Sequence, residues 1–291
     1  MRSNGFGLIT LAGLGCWAAA PAAAAPFFFS TGSPDGLIAT LSRQASPGKL
    51  ETETADDFVT PAGLTTRITD ATFTGLLVNG TTANVTNVEI ELYHVFPIDS
   101  TFPLDGRVVT RVNSPSDNDF AASDAALGNL SFTTTVLNPN FTAANSVVNG
   151  INPAPNQFTG GEDPVTGEEV QFNIHFNTPL KVGPDHIFFR PEVATNAGDF
   201  LWLSAPKPIT GPGTTPFLTD LQTWIRTDGP GALFPDWSRI GTDITHQGPF
   251  NAAFTLTGTT APEPATIGVL AIGIAGLGFA HRRRRTSGSR S

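Results

Sequence analysis

The chain has 291 residues, with 16 Lys+Arg against 25 Asp+Glu and a formal net charge of −9. An acidic balance of this kind repels nucleic-acid phosphate, so no nucleic-acid partner is expected. Cys16 is the single cysteine and lies close to the N-terminus, which leaves the remainder without disulfides or thiol chemistry.

The N-terminal run MRSNGFGLITLAGLGCWAAAPAAAAPFFF carries Arg2, then an apolar stretch, then small residues around Ala22, Ala23 and Ala24. That is the layout of a secretory signal peptide, and a signal helix over 1–24 is expected. Cleavage is placed after Ala24, because a cut after Ala25 would have Pro26 directly behind it. Gly13 stands three residues before Cys16, where a lipoprotein signal wants leucine, so lipidation is not expected. The exported body is then 25–261. Removing Arg2 at one end, and Glu263, Arg282 to Arg285 and Arg290 at the other, leaves it 24 acids against 10 bases, a net charge of −14.

Along this body short alternating runs recur, rich in Thr, Val, Ile and Phe and separated by Gly, Pro, Asn and Asp. Phe27 to Phe29 open a first strand. Ten more runs read as strands: LIATLSR, TTRITDATFTGLLV, TNVEIELYHVF, RVVTRV, LSFTTTV, EEVQFNIHFN, HIFFRPEV, DFLWLSA, QTWIR and FNAAFTLTG. Val88, Ile90 and Leu92 share one face of their strand, with Glu89, Glu91 and Tyr93 on the other. Phe172, Ile174 and Phe176 likewise oppose Gln171, Asn173 and His175. One buried and one wet face per strand points to antiparallel sheets. The fold class predicted is all-β, an antiparallel β-sandwich of jelly-roll type in one domain. Two stretches resist assignment, Leu137 to Glu169 and the Pro/Gly-rich SAPKPITGPGTTPFLTD, and long loops of this kind are often functional.

Catalytic signatures are missing: no G-x-S-x-G turn, no H-E-x-x-H pair and no phosphate loop occurs. His94, His175, His186 and His246 are scattered, and His94 and His175 fall on the polar phase of their strands. A glycoside hydrolase needs only two carboxylates about 5–9.5 Å apart. Glu89 with Glu91, Asp56 with Asp57 and Glu168 with Glu169 are the sequence neighbours that keep this reading open. Asp117, Asp119 and Asp124 in SPSDNDFAASD suggest an oxygen-rich loop for a structural Ca²⁺, although the helix–loop–helix calcium pattern is absent. No other cofactor is expected. Trp202, Trp224 and Trp237 allow sugar stacking by exposed indoles, with packing in the core the preferred reading. WIR and WSR each place an arginine two residues beyond a tryptophan, on the same strand face.

The chain closes with APEPATIGVLAIGIAGLGFAHRRRR, followed by TSGSRS. The 16 uncharged residues from Ala265 to Ala280 span about 24 Å as a helix, short of the ~30 Å hydrocarbon core. Arg282, Arg283, Arg284 and Arg285 form a basic stop on the cytoplasmic side. A short span with such a stop suits transient inner-membrane insertion before processing. Pro262-Glu263-Pro264, the glycine-rich apolar run and the arginine cluster, in this order, resemble the PEP-CTERM sorting signal of exported proteins in Gram-negative bacteria that also make extracellular polysaccharide. The resemblance covers 262–291: the tripeptide 262–264, the hydrophobic helix 265–280 and the Arg-rich end 281–291. It implies recognition by exosortase, a membrane transpeptidase-like enzyme, removal of the tail near the tripeptide, and delivery to the outer cell surface or extracellular matrix. It implies no activity for the body. The expectation is a non-enzymatic exported protein with a structural or adhesive role beside exopolysaccharide or biofilm. A carbohydrate-binding module and a secreted glycoside hydrolase are the two alternatives.

Overall fold

A computed structural model describes residues 24–96, 112–149, 151, 158–206, 222–228 and 237–262. The expected signal helix through residue 23, most of RVVTRV, much of the Pro/Gly-rich stretch and the tail from Glu263 onward lie outside the described residues.

Among the described residues the chain forms fifteen strands. The first five are β1 (Ala25–Ser30), β2 (Ile38–Leu41), β3 (Thr52–Val59), β4 (Leu64–Val78) and β5 (Val85–His94). Next come β6 (Ala121–Asp124), β7 (Leu130–Ala143), β8 (Asn145–Val147), β9 (Val165–Val182) and β10 (His186–Thr195). The last five are β11 (Asp199–Ala205), β12 (Trp224–Thr227), β13 (Ser238–Arg239), β14 (Asn251–Ala252) and β15 (Phe254–Pro262). They make two sheets, and the expected all-β sandwich is what the chain builds. One sheet has nine strands; the other has six, in the order β13-β12-β3-β10-β5-β6. All strand pairs are antiparallel except β2 with β8.

The long β4 organises the nine-stranded sheet. One edge pairs with β9 from Thr66 to Leu77. The other edge pairs first with β15, from Leu64 to Phe73, and then with β11, from Gly75 to Val78. Gly75 marks this change of partner, and it is glycine for a steric reason. A Cβ there would lie 2.3 Å from the Phe200 ring and 2.4 Å from the Leu201 carbonyl. Between Ile68 and Asp70 the β4–β9 register shifts, and β15 shifts opposite the same place, between Thr257 and Gly258. A bulge shared in this way adds local twist to the sheet.

The core fills the space between the sheets. Phe29 and Phe254 from the nine-stranded sheet meet Phe58 and Phe189 from the six-stranded one. Phe189 stacks on Phe254 with ring centroids 5.2 Å apart. The alternation read from β5 and β9 holds on the core side: Val88, Ile90, Leu92, Phe172, Ile174 and Phe176 are all buried. The stretch from Leu137 to Glu169 contains more structure than expected, because β7 runs on to Ala143 and β9 begins at Val165. Residues Ala24–Glu263 make one compact unit. Among the described residues no helix is long and apolar enough to cross a membrane, and the apolar run 265–280 falls outside them.

Candidate functional site

The six-stranded sheet departs from the one-wet-face expectation. β3 and β10 are buried on both faces along most of their length. Their outward phase carries Glu53, Ala55 and Asp57 on β3, and Phe188, Arg190 and Glu192 on β10. The outward phase of β5 adds Glu89, Glu91 and Tyr93. A strap of residues 113–120 runs along the end of β5, held by Ser116 N–H to His94 O (2.8 Å) and Phe120 N–H to Leu92 O (2.9 Å). Trp237, just ahead of β13, closes over the same face; its Nε1 donates to Ser116 O at 3.3 Å.

Beneath this cover is a network of buried charges. Arg190, 1% exposed, meets Glu192 at 2.5 Å and Glu53 at 3.3 Å, and also pairs with Glu91. Arg226 pairs with Glu53, and donates to the Asp117 carbonyl at 2.9 Å and to the Tyr93 hydroxyl at 3.2 Å. That hydroxyl also lies 3.2 Å from Glu53 and within hydrogen-bond reach of Glu91. Desolvation costs several kcal/mol per ion, and these pairs offset it only in part, since Arg190 Nε and Nη1 and both Glu192 carboxyl oxygens make no hydrogen bond.

The ionisation of these groups follows from the crowding. Burial pushes the Glu192 carboxyl up to about 8, with Glu51 and Glu89 adding to the rise and Arg190 opposing it. Burial also raises Glu89, Asp119 and the Tyr93 phenol. Arg190 is the reverse case. Burial works against its charge, but Glu192, Tyr93 and Glu91 more than offset that, and the guanidinium is held protonated. Burial lowers Arg226 to about 10 against the opposing field of Glu51, which leaves it charged at neutral pH.

The three tryptophans are all interior. Trp202 and Trp224 are fully buried and Trp237 is 1% exposed, so none of these three indoles presents a face to a sugar. The sugar-stacking reading of these residues is corrected; packing accounts for them. Trp202 sits among Phe73, Phe189 and Phe254 and donates its Nε1 to Ala253 O at 2.9 Å. The arginines pack across strands. Arg226 lies 4.5 Å from the Trp237 ring and Arg239 5.9 Å from the Trp224 ring, because Trp224 and Arg239 face each other in the β12–β13 pair.

Asp117, Asp119 and Asp124 do not converge. Asp117 offers its main-chain carbonyl to Arg226, Asp119 is exposed, and Asp124 accepts from the Ala126 N–H at 2.6 Å. Among the described residues Glu51, Glu53 and Glu192 form an acidic group in which one carboxylate oxygen from each lies within 4.8 Å of the others. Sequence reasoning missed it because β3, TETADDFV, has no clean apolar alternation and Glu192 sits in a run that reads as apolar. Of the carboxylate neighbours, Glu91 is tied to Arg190, while Asp56 and Asp57 point to opposite faces. His94, His175 and His186 each hydrogen-bond an aspartate, Asp185, Asp70 and Asp57 respectively, at 2.8–2.9 Å. On the nine-stranded sheet, Ser30, Thr72, Thr74, Glu169, Gln171 and Thr255 help line an outer groove of about 300 Å³.

The two ends of the body meet on one edge of the nine-stranded sheet. β1 begins at Ala25, one residue beyond the expected signal cut, and pairs with β15 from Ala25 opposite Thr260. β15 continues through Pro262, the first residue of the Pro-Glu-Pro tripeptide, which pairs with Leu64. The molecule is thus an all-β sandwich whose final strand leads, with no spacer, into a C-terminal sorting segment. That segment is the PEP-CTERM protein-sorting motif, which matches residues 260–285 and makes the chain a PEP-CTERM protein, exported and sorted through exosortase. No curated protein and no solved structure matches the chain.

Proposed function

We propose that the body is a non-enzymatic structural or adhesive component of the cell envelope and its polysaccharide matrix, delivered to the outer surface by its sorting segment. The observation that carries this reading is the direct run of β15 into the tripeptide. Loss of the tail beside Pro262 leaves every described strand in place, so processing hands over a finished sandwich. The experiment compares the mature mass of the full chain with and without its exosortase. Loss of the tail only with the enzyme supports the reading, and a product still ending in Ser291 overturns it. Retention of the processed chain on washed polysaccharide matrix tests the structural role.

A second reading, carbohydrate binding, is favoured by the outer groove rather than by tryptophan. Its lining of hydroxyls and an amide suits the hydroxyl pattern of an uncharged glycan, and Glu169, raised by burial, adds an acceptor. A glycan array with the full chain and a Gln171→Ala variant separates the two readings: binding lost in the variant favours the groove.

A further inference from the structure

The adjacent strands β3 and β12 end together beside the buried charge network. Thr52 pairs with Thr227, and the Thr227 hydroxyl donates to the Glu51 carbonyl at 2.9 Å. Glu51, just ahead of β3, and Asp228, just after β12, therefore stand at the same end of the strand pair. With Glu53, Arg226 and Thr227 they line a cavity of about 10 Å³, close to the smallest space that holds one water or one ion.

Glu192 supplies an independent observation. Its side chain is fully buried, and neither carboxyl oxygen has a hydrogen-bond partner, although Oε2 lies 2.5 Å from Arg190 Nη1. A buried carboxylate oxygen left in that state costs free energy that a ligand would recover. Arg190 forms ion pairs with Glu53, Glu91 and Glu192, with its Nε and Nη1 making no hydrogen bond, and Arg226 is held by Glu53, Tyr93 and Asp117. Glu51, Glu53 and Glu91 thus stand beside two guanidiniums together with Glu192, whose proton a bound cation would displace, and negative charge is left over beside the cavity.

We propose that Glu51, Glu53 and Glu192 bind a divalent cation of the Ca²⁺ type, with Thr227 and Asp228 offering oxygens at its open side. The donors are all oxygen, which suits a hard cation and argues against zinc. Mg²⁺ keeps several waters in a strict octahedron, and a space for one water does not house them. The ion ties the end of β12 to β3 and β10, and so fixes Trp224 and Arg226 in the outer layer. This site is distinct from the aspartates of the 113–124 segment.

The test uses the full chain, stripped with EDTA and dialysed against Ca²⁺ or Mg²⁺, with bound metal counted by mass spectrometry and Tm recorded in parallel. Uptake of about one Ca²⁺ per chain, with a higher Tm, is expected. Glu51→Gln, a change at a half-buried position, should weaken uptake at least about tenfold, the scale on which metal sites respond to loss of even an outer partner. Circular dichroism confirms that the variant folds. Asp117→Asn with Asp119→Asn should leave uptake unchanged. No uptake at millimolar Ca²⁺ overturns the proposal, as does uptake that Glu51→Gln leaves intact or that the aspartate pair abolishes. Equal preference for Mg²⁺ overturns the assignment to Ca²⁺.

Discussion

Ala25 and Thr260 are register partners at the edge of the nine-stranded sheet, so the first and last strands of the body close on each other. β15 is the strand partner of β1, and it contributes Phe254 and Leu256 to the core. A chain that stops at Ala261 keeps that closure; one that stops at Ala253 loses it. The shorter chain strips β1 of its partner and exposes Phe27 and Phe29, whose burial is worth about 1.5–3 kcal/mol each. Chains ending at Ala261 are expected to unfold in urea close to the full-length midpoint, and those ending at Ala253 to lack a cooperative transition. Equal midpoints for the two would contradict the closure.

Trp202 links both sheets to the segment that precedes β15. Trp202→Ala removes a buried ring and the donor to the Ala253 carbonyl, and large aromatic truncations of this kind cost about 3–5 kcal/mol. Trp202→Phe keeps most of the volume and should cost less, because the Ala253 carbonyl still accepts from the Thr74 N–H at 3.1 Å. Denaturant unfolding orders the two variants. A glycan-binding assay should show no effect from Trp202→Phe, since the indole never reaches solvent.

Arg190 is expected to be the most sensitive charged position in the described body. Arg190→Met leaves Glu53, Glu91 and Glu192 without their shared counter-charge, and breaking a buried pair in this way costs about 3–5 kcal/mol. Adding Glu192→Gln, at the carboxyl that burial already keeps protonated up to about pH 8, should recover little of that loss at neutral pH. A double-mutant cycle on unfolding free energies measures the recovery. Strict additivity would mean that the two groups do not interact.

The legible and illegible parts of the sequence divide along one physical line. Where a strand faces core on one side and water on the other, as β9 does, alternation announces it. The six-stranded sheet hides its outer layer because charged residues are buried there by pairing with each other. Glu53, Asp57 and Arg190 look like surface residues until the strap and Trp237 are in place. β3 went unread for that reason. The crossing of Arg226 and Arg239 over each other's tryptophans needed the β12–β13 register, which spacing within one strand does not carry. The tail was legible because its signal is linear: a tripeptide, an apolar run and a basic cluster in order.

Glu192 gives the fold a pH dependence whose sign follows from proton counts. Its carboxyl is raised from an ordinary 4.5 to about 8 by burial, with Glu51 and Glu89 adding to the effect and Arg190 opposing it. Between those values the folded chain holds a proton that the unfolded chain has released. Stability is therefore greatest on the acid side, falls as pH rises through this window, and levels off above about 8. One such group contributes a limiting slope of about 1.4 kcal/mol per pH unit. In chelator-treated protein, urea unfolding free energies for the wild type and Glu192→Gln should diverge steadily between about pH 5 and 8, with the variant losing less. Parallel curves across the window would mean that Glu192 is ionised throughout.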